Sequence, residues 1–130
     1  MKKHHFKENE SYLHKLAKDV LKNWIESFPE RFDLNNVTSI RFEEAFCENG
    51  VVLFKPDVTI YEGDKLTNIY EIYHTSGLTG YKLHKMQCYY YFNPPFPNVY
   101  EIDATYIMKQ VKCPKSINMI KYGIFEDELF

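Results

Sequence analysis

Apolar residues near the start of this chain recur at helical spacing. Leu13, Leu16, Ala17, Val20, Leu21, Trp24 and Ile25 form one stripe, Asn9 is placed to cap it, and Pro29 stops it. From Val37 to Phe46 strand formers take over, closed by Glu48-Asn49-Gly50. Two more strands are expected over Val51 to Tyr61 and Asn68 to Thr75, divided by Glu62-Gly63-Asp64-Lys65. A second amphipathic helix runs from about Thr79 to Phe92 and meets Asn93-Pro94-Pro95. Alternation returns over Asn98 to Met108, with Tyr100, Ile102, Ala104 and Tyr106 on one face. A short element near Ile117 to Ile124 precedes the acidic tail FEDELF.

The order is helix, three strands, helix, strand. A strand-helix-strand succession predicts a parallel crossover, so the expected fold is α/β with a mixed central sheet flanked by helices. With 130 residues and no repeat or Gly/Ser linker, a single domain over residues 1–130 is expected. Aromatic residues make up 17% of the chain, enough large rings to build a core at this length without staples. The formal net charge of −2 excludes nucleic-acid coating by bulk charge but permits a local basic groove. Cys47, Cys88 and Cys113 show neither a disulfide framework nor structural-zinc spacing. No apolar run follows the basic start MKKHHFKENE and no stretch is long enough to span a membrane, so an intracellular, cytoplasmic protein is expected.

The chemistry concentrates at the central hairpin. Side chains alternate along a strand, so Lys55, Asp57, Thr59 and Tyr61 share one face, as do Ile69, Glu71, Tyr73 and Thr75. A loop centred on Asp64 pairs positions whose numbers sum to 128, which sets Asp57 opposite Glu71. Facing carboxylates ~5 Å apart at Cβ repel, and a divalent cation such as Mg²⁺ relieves them. A different register, or an edge hairpin with both acids in water, would relieve them too.

The helices offer further polar positions. Glu10 falls in the first helix's apolar stripe, His14 at its edge and Lys18 just beyond. In the second helix Leu83, Met86, Gln87, Tyr90 and Tyr91 form the expected buried stripe, with Lys82, His84 and Lys85 nearby. Gln87 is the stripe's amide and needs polar partners. Of the pair Glu43-Glu44, one must point away from the core.

Pro56-Asp57 and the strand Ile69-Tyr70-Glu71-Ile72-Tyr73 together resemble the PD-(D/E)xK nuclease superfamily, and within it the competence-protein (CoiA-like) branch. The helix Glu10-Ser11-x-x-His14-x-x-x-Lys18, the strand Asp57-Val58-Thr59-Ile60 and the pair Gln87 and Tyr91 carry the likeness over about residues 8 to 107. The resemblance implies a restriction-endonuclease-like core of αβββαβ order and hydrolysis of DNA phosphodiester bonds. It further implies that Asp57, Glu71 and the Ile72 carbonyl hold Mg²⁺ or Mn²⁺, with Glu10 completing the set. Gln87 would position water or phosphate. Tyr73 stands where the superfamily has its lysine, and a cation among Lys18, Lys55 and Lys85 would replace it. His14, Lys18, Lys55, Lys82 and Tyr91 would contact DNA. A symmetric homodimer would suit two-strand cutting. Two other classes stay open: a catalytically degenerate nucleic-acid-binding or protein-interaction module, and a domain holding a small ligand among its tyrosines.

Overall fold

The computed structural model describes residues 12–74 and 80–123. Helix α1 (Tyr12–Ser27) buries Ala17, Leu21, Trp24 and Ile25, as their spacing predicts, and also Lys18. The N–H of Phe28 donates to the Trp24 carbonyl at 2.7 Å. Pro29, with no N–H to extend the helix, begins a 3₁₀ turn over Pro29–Phe32. Asn9, Thr75, Thr79 and the FEDELF tail lie outside the described residues.

Five strands, β1 (Ser39–Phe42), β4 (Val58–Glu62), β5 (Lys65–Tyr73), β6 (Asn98–Asp103) and β7 (Ile120–Tyr122), form one sheet in the order β1-β4-β5-β6-β7. The β5–β6 pair is parallel and the others are antiparallel. The chain between β5 and β6 carries helix α2 (Gly80–Phe92), and a short helix α3 (Ala104–Lys109) follows β6. The protein is thus mixed α/β, a five-stranded mixed sheet flanked by helices.

Three expected strands end differently. The run Val51 to Tyr61 is not continuous: β3 (Val51–Phe54) leaves the main sheet and pairs with β2 (Phe46–Glu48). Pro56 offers no N–H to a ladder, and Phe54 turns to stack on Phe46, ring centroids 5.1 Å apart, and to pack against Tyr89 and Tyr90. The first strand likewise stops at Phe42, because Glu43 adopts φ 56°. The alternation of Asn98 to Met108 is the third difference. Its strand ends at Asp103, whose carboxylate accepts the Thr105 N–H at 2.9 Å and caps α3.

The sheet's faces divide the core. Val58, Ile60, Tyr70, Ile72 and Ile102 pack against α1 and α3, and Tyr70 stacks on Tyr100 at 5.2 Å. On the other side Ile69 and Val99 meet Met86 and Tyr90 of α2, with Phe54. Strand alternation therefore sends Glu71 and Glu101 toward the α2 side. Among the described residues no helix is long and apolar enough to cross a membrane.

Candidate functional site

The ladder between β4 and β5 keeps the expected sum at the end that matters: Val58 pairs with Tyr70, Thr59 with Ile69 and Ile60 with Asn68. The turn is tighter than a loop centred on Asp64. Glu62 pairs with Lys65 around Gly63-Asp64, and an irregularity between Ile60 and Tyr61 restores the register. Gly63, at φ 68°, supplies the positive φ that a two-residue hairpin needs at its first loop position.

One residue before the ladder begins, Asp57 meets Glu71. The Asp57 N–H donates to Glu71 Oε2 at 3.2 Å, and the Ile72 N–H donates to Asp57 Oδ2 at 2.7 Å. Both residues are buried, Asp57 at 9% exposure and Glu71 at 6%. From α1, His14 Nε2 lies 2.8 Å from the Ile72 carbonyl and 3.3 Å from Asp57 Oδ2. A carbonyl oxygen only accepts, so this nitrogen carries a proton and donates. From α2, Lys82 Nζ donates to Glu71 Oε1 at 2.7 Å and to the Lys55 carbonyl at 3.2 Å. The strand pair supplies two carboxylates, and each flanking helix sends one basic side chain.

Burial pushes the Glu71 carboxyl up to about 7, and the Asp57 charge beside it pushes the same way against the pull of Lys82. Two buried like charges with one ammonium between solvent and protein make a cation-seeking arrangement. Asp57 and Glu71 carry the hard oxygen donors that Mg²⁺ and Mn²⁺ take, with the Ile72 carbonyl alongside. Among the described residues no group of three or more His, Cys, Asp or Glu side chains stands ready to enclose a metal ion. Glu10, the expected further carboxylate, lies outside the described residues.

The other candidate residues make contacts of their own. Lys18 is 5% exposed and ion-paired with Glu43 at 2.9 Å. The Glu43 N–H donates to the Asp57 carbonyl at 3.1 Å, so Lys18 stands one residue from the carboxylate pair rather than on it. Glu43 and Glu44 do diverge: Glu44 accepts from the Thr59 and Tyr61 hydroxyls, both at 2.9 Å. Burial, reinforced by Glu44, raises the Tyr61 phenol to about 12.

Lys55 does not face Tyr73 across the hairpin. It precedes the ladder, its side chain is exposed, and its carbonyl serves Lys82. Lys85 donates to the Leu53 carbonyl at 3.2 Å and ties α2 to β3. Gln87 reaches the Gly123 carbonyl at 3.3 Å, toward the chain beyond β7. Tyr91 is 56% exposed and not part of the buried stripe, which Met86 and Tyr90 fill. Tyr73 pairs with Asp103 on β6 and lines a cavity of about 160 Å³ with Glu101, Asp103 and Tyr106. Partial burial, then the Asp103 and Glu101 charges, hold its phenol above the ordinary range.

Two features escape sequence reasoning. Lys82, expected only as a DNA contact, is the lysine on Glu71, rather than Lys18, Lys55 or Lys85. Its position on the α2 turn facing β5 could be read only once the packing of that helix was known. Glu101 sits directly beside Glu71 across the parallel β5–β6 ladder, 4% exposed, and takes the Tyr122 hydroxyl at 2.7 Å. The alternation Val99-x-Glu101 was a usable signal, because it puts Glu101 on the Val99 face.

Compared with protein-family models, curated proteins and solved structures, the chain gives no match.

Proposed function

We propose that this protein is a divalent-metal-dependent nuclease that hydrolyses DNA phosphodiester bonds, built on a restriction-endonuclease-like core. The observation that carries the reading is the buried Asp57–Glu71 pair on adjacent strands with the Lys82 ammonium 2.7 Å from Glu71. The element order supports it as well: α1, then β1, β4 and β5, then α2 and the parallel β6, with β2–β3 as an insertion. Pro56-Asp57 enters β4, and Glu71 lies near the end of β5, as the PD-(D/E)xK pattern places its acids.

Asp57, Glu71 and the Ile72 carbonyl are the groups that would hold Mg²⁺ or Mn²⁺. Such an ion makes a bound water a better nucleophile and neutralises charge on the phosphate. The chain's own residues prepare that site. The Ile72 N–H and the His14 Nε2–H fix the Asp57 carboxylate in place. Lys82 takes over the role of the lysine that Tyr73 displaces, as a cation beside Glu71 that can face a phosphate oxygen.

The test is Mn²⁺-dependent cleavage of single-stranded, duplex and branched DNA, with Asp57→Ala and Glu71→Ala as controls. Loss of cleavage in both folded variants is expected, and wild-type activity in either overturns the assignment. Tyr73 at the lysine position favours one other reading, a catalytically degenerate nucleic-acid-binding module. DNA binding with no cleavage under any metal would establish that reading instead.

A further inference from the structure

The ammonium of Lys82 occupies one of the two Glu71 oxygens that a metal ion would use. Its Nζ is 2.7 Å from Glu71 Oε1, while Glu71 Oε2 already accepts the Asp57 N–H at 3.2 Å. Each carboxylate oxygen therefore has a donor, one from the backbone and one from the Lys82 side chain. Lys82 has 30% of its side chain exposed against 8% for Glu71, so it approaches from the solvent side of a buried acid. A second acceptor, the Lys55 carbonyl at 3.2 Å, tethers the same ammonium beside the segment that carries Asp57.

We infer that Lys82 is a built-in counter-ion that competes with the divalent metal for Glu71. This rests on the nuclease reading of the site and adds its regulation. Without metal, the ammonium neutralises a carboxylate whose burial and neighbouring Asp57 would otherwise leave an uncompensated charge. A metal ion held by Glu71 would compete with the ammonium for Oε1, and the Lys55 carbonyl would remain as a partner for it. There it is oriented toward the approach of an anionic phosphate. One residue thus lowers the affinity of the empty site for metal and supplies a cation to the loaded one. Metal and substrate then favour each other's binding, because a phosphate gives the displaced ammonium a new partner.

Lys85 provides an internal control. It lies three residues further along α2 and carries the same charge, but its Nζ donates to the Leu53 carbonyl at 3.2 Å. A general effect of positive charge on metal affinity would appear equally in both lysines. Competition at Glu71 would appear in Lys82 alone.

The experiment is calorimetric titration of Mn²⁺ into the full chain for the wild type, Lys82→Met, Lys82→Arg, Lys85→Met and Glu71→Gln. Lys82→Met is expected to bind Mn²⁺ about tenfold more tightly, the scale of one close charge coupling. Lys82→Arg and Lys85→Met should stay near the wild type, and Glu71→Gln should bind weakly or not at all. Unchanged or weaker affinity in Lys82→Met, with Glu71-dependent binding intact, overturns the competition and leaves the nuclease reading standing. Tightening of equal size in Lys85→Met also overturns it, because bulk charge would then explain the effect. Absence of Mn²⁺ binding in every protein overturns the competition together with the metal site.

Discussion

The two ends of the β4–β5 hairpin each carry acidic side chains, and they treat them in opposite ways. At the turn end, Glu62 Oε2 accepts the N–H groups of Asn35 and Asn36 at 2.8 and 2.9 Å near the surface. Those two donors hold its carboxyl below the ordinary range. At the open end, Glu71 is buried beside Asp57, and burial lifts its carboxyl to about 7. Glu62 is an anion whose charge the backbone already satisfies. Glu71 is an acid whose charge the fold penalises and a lysine only partly compensates. Same strand pair, same residue type: the difference is whether the donors are supplied by the backbone or left to an added cation. A carboxylate of the first kind fastens a loop to a sheet. One of the second kind is where the proposed site lies.

The largest expected consequence is catalytic. Asp57→Ala and Glu71→Ala should each lower Mn²⁺-dependent cleavage by on the order of a thousandfold, the several kcal/mol a metal centre contributes to a transition state. Glu62→Gln should leave the rate at the wild-type level. Equal losses at both ends of the hairpin, measured as initial rates on one substrate, would erase the contrast.

Stability against pH gives the next effect, and the two glutamates should slope in opposite directions. The folded-state value for Glu71 is raised, so its contribution is fully present below its ordinary 4.5 and is lost as pH rises through about 7. The folded-state value for Glu62 is lowered, so its contribution is present above 4.5 and is lost as pH falls through the lower folded value. In metal-free urea melts, Glu71→Gln should flatten the decline between pH 4.5 and 7, whereas Glu62→Gln should flatten only the acid limb. An unchanged slope in Glu71→Gln would contradict the burial argument.

The smallest effect is structural. Glu62→Gln keeps an acceptor for Asn35 and Asn36 but loses the charge, so a cost of about 1 kcal/mol in equilibrium unfolding is expected. A cost well above that would mean that the turn end depends on its carboxylate more than two surface hydrogen bonds explain.

Legibility in the sequence followed the same division. The α1 stripe and the helix before Asn93-Pro94-Pro95 were readable because long periodic runs with clear stops leave few alternatives. The opposition of Asp57 and Glu71 was readable because any short turn near Gly63-Asp64 yields a sum of 127 or 128. The irregularity at Ile60/Tyr61 then selects 128. What failed were places where packing overrode local pattern. Lys55-Pro56-Asp57 interrupts the run from Val51 to Tyr61 and was a usable signal, and the aromatic cluster of Phe46, Phe54 and Tyr89 then draws β3 out of the sheet. The end of β6 was available but outweighed: Asp103 is a capping residue, yet Ala104 and Tyr106 continue the alternation. The contact of Lys82 with Glu71 and the place of Glu101 beside it were hidden for a different reason. Each matters through a neighbour on another element, and single-strand spacing does not reveal which helix turn or which strand lies beside Glu71.

The proposed nuclease activity requires a divalent-cation site at the open end of the hairpin. Thermal unfolding with and without Mn²⁺ tests that directly, in the wild type and in Glu71→Gln. A ligand that binds only the folded state adds about 2.7 kcal/mol at a hundredfold excess over its Kd. The wild type should show a rise in melting temperature that grows with Mn²⁺, and Glu71→Gln should show little or none. An equal rise in both proteins, or none in the wild type, would contradict the site.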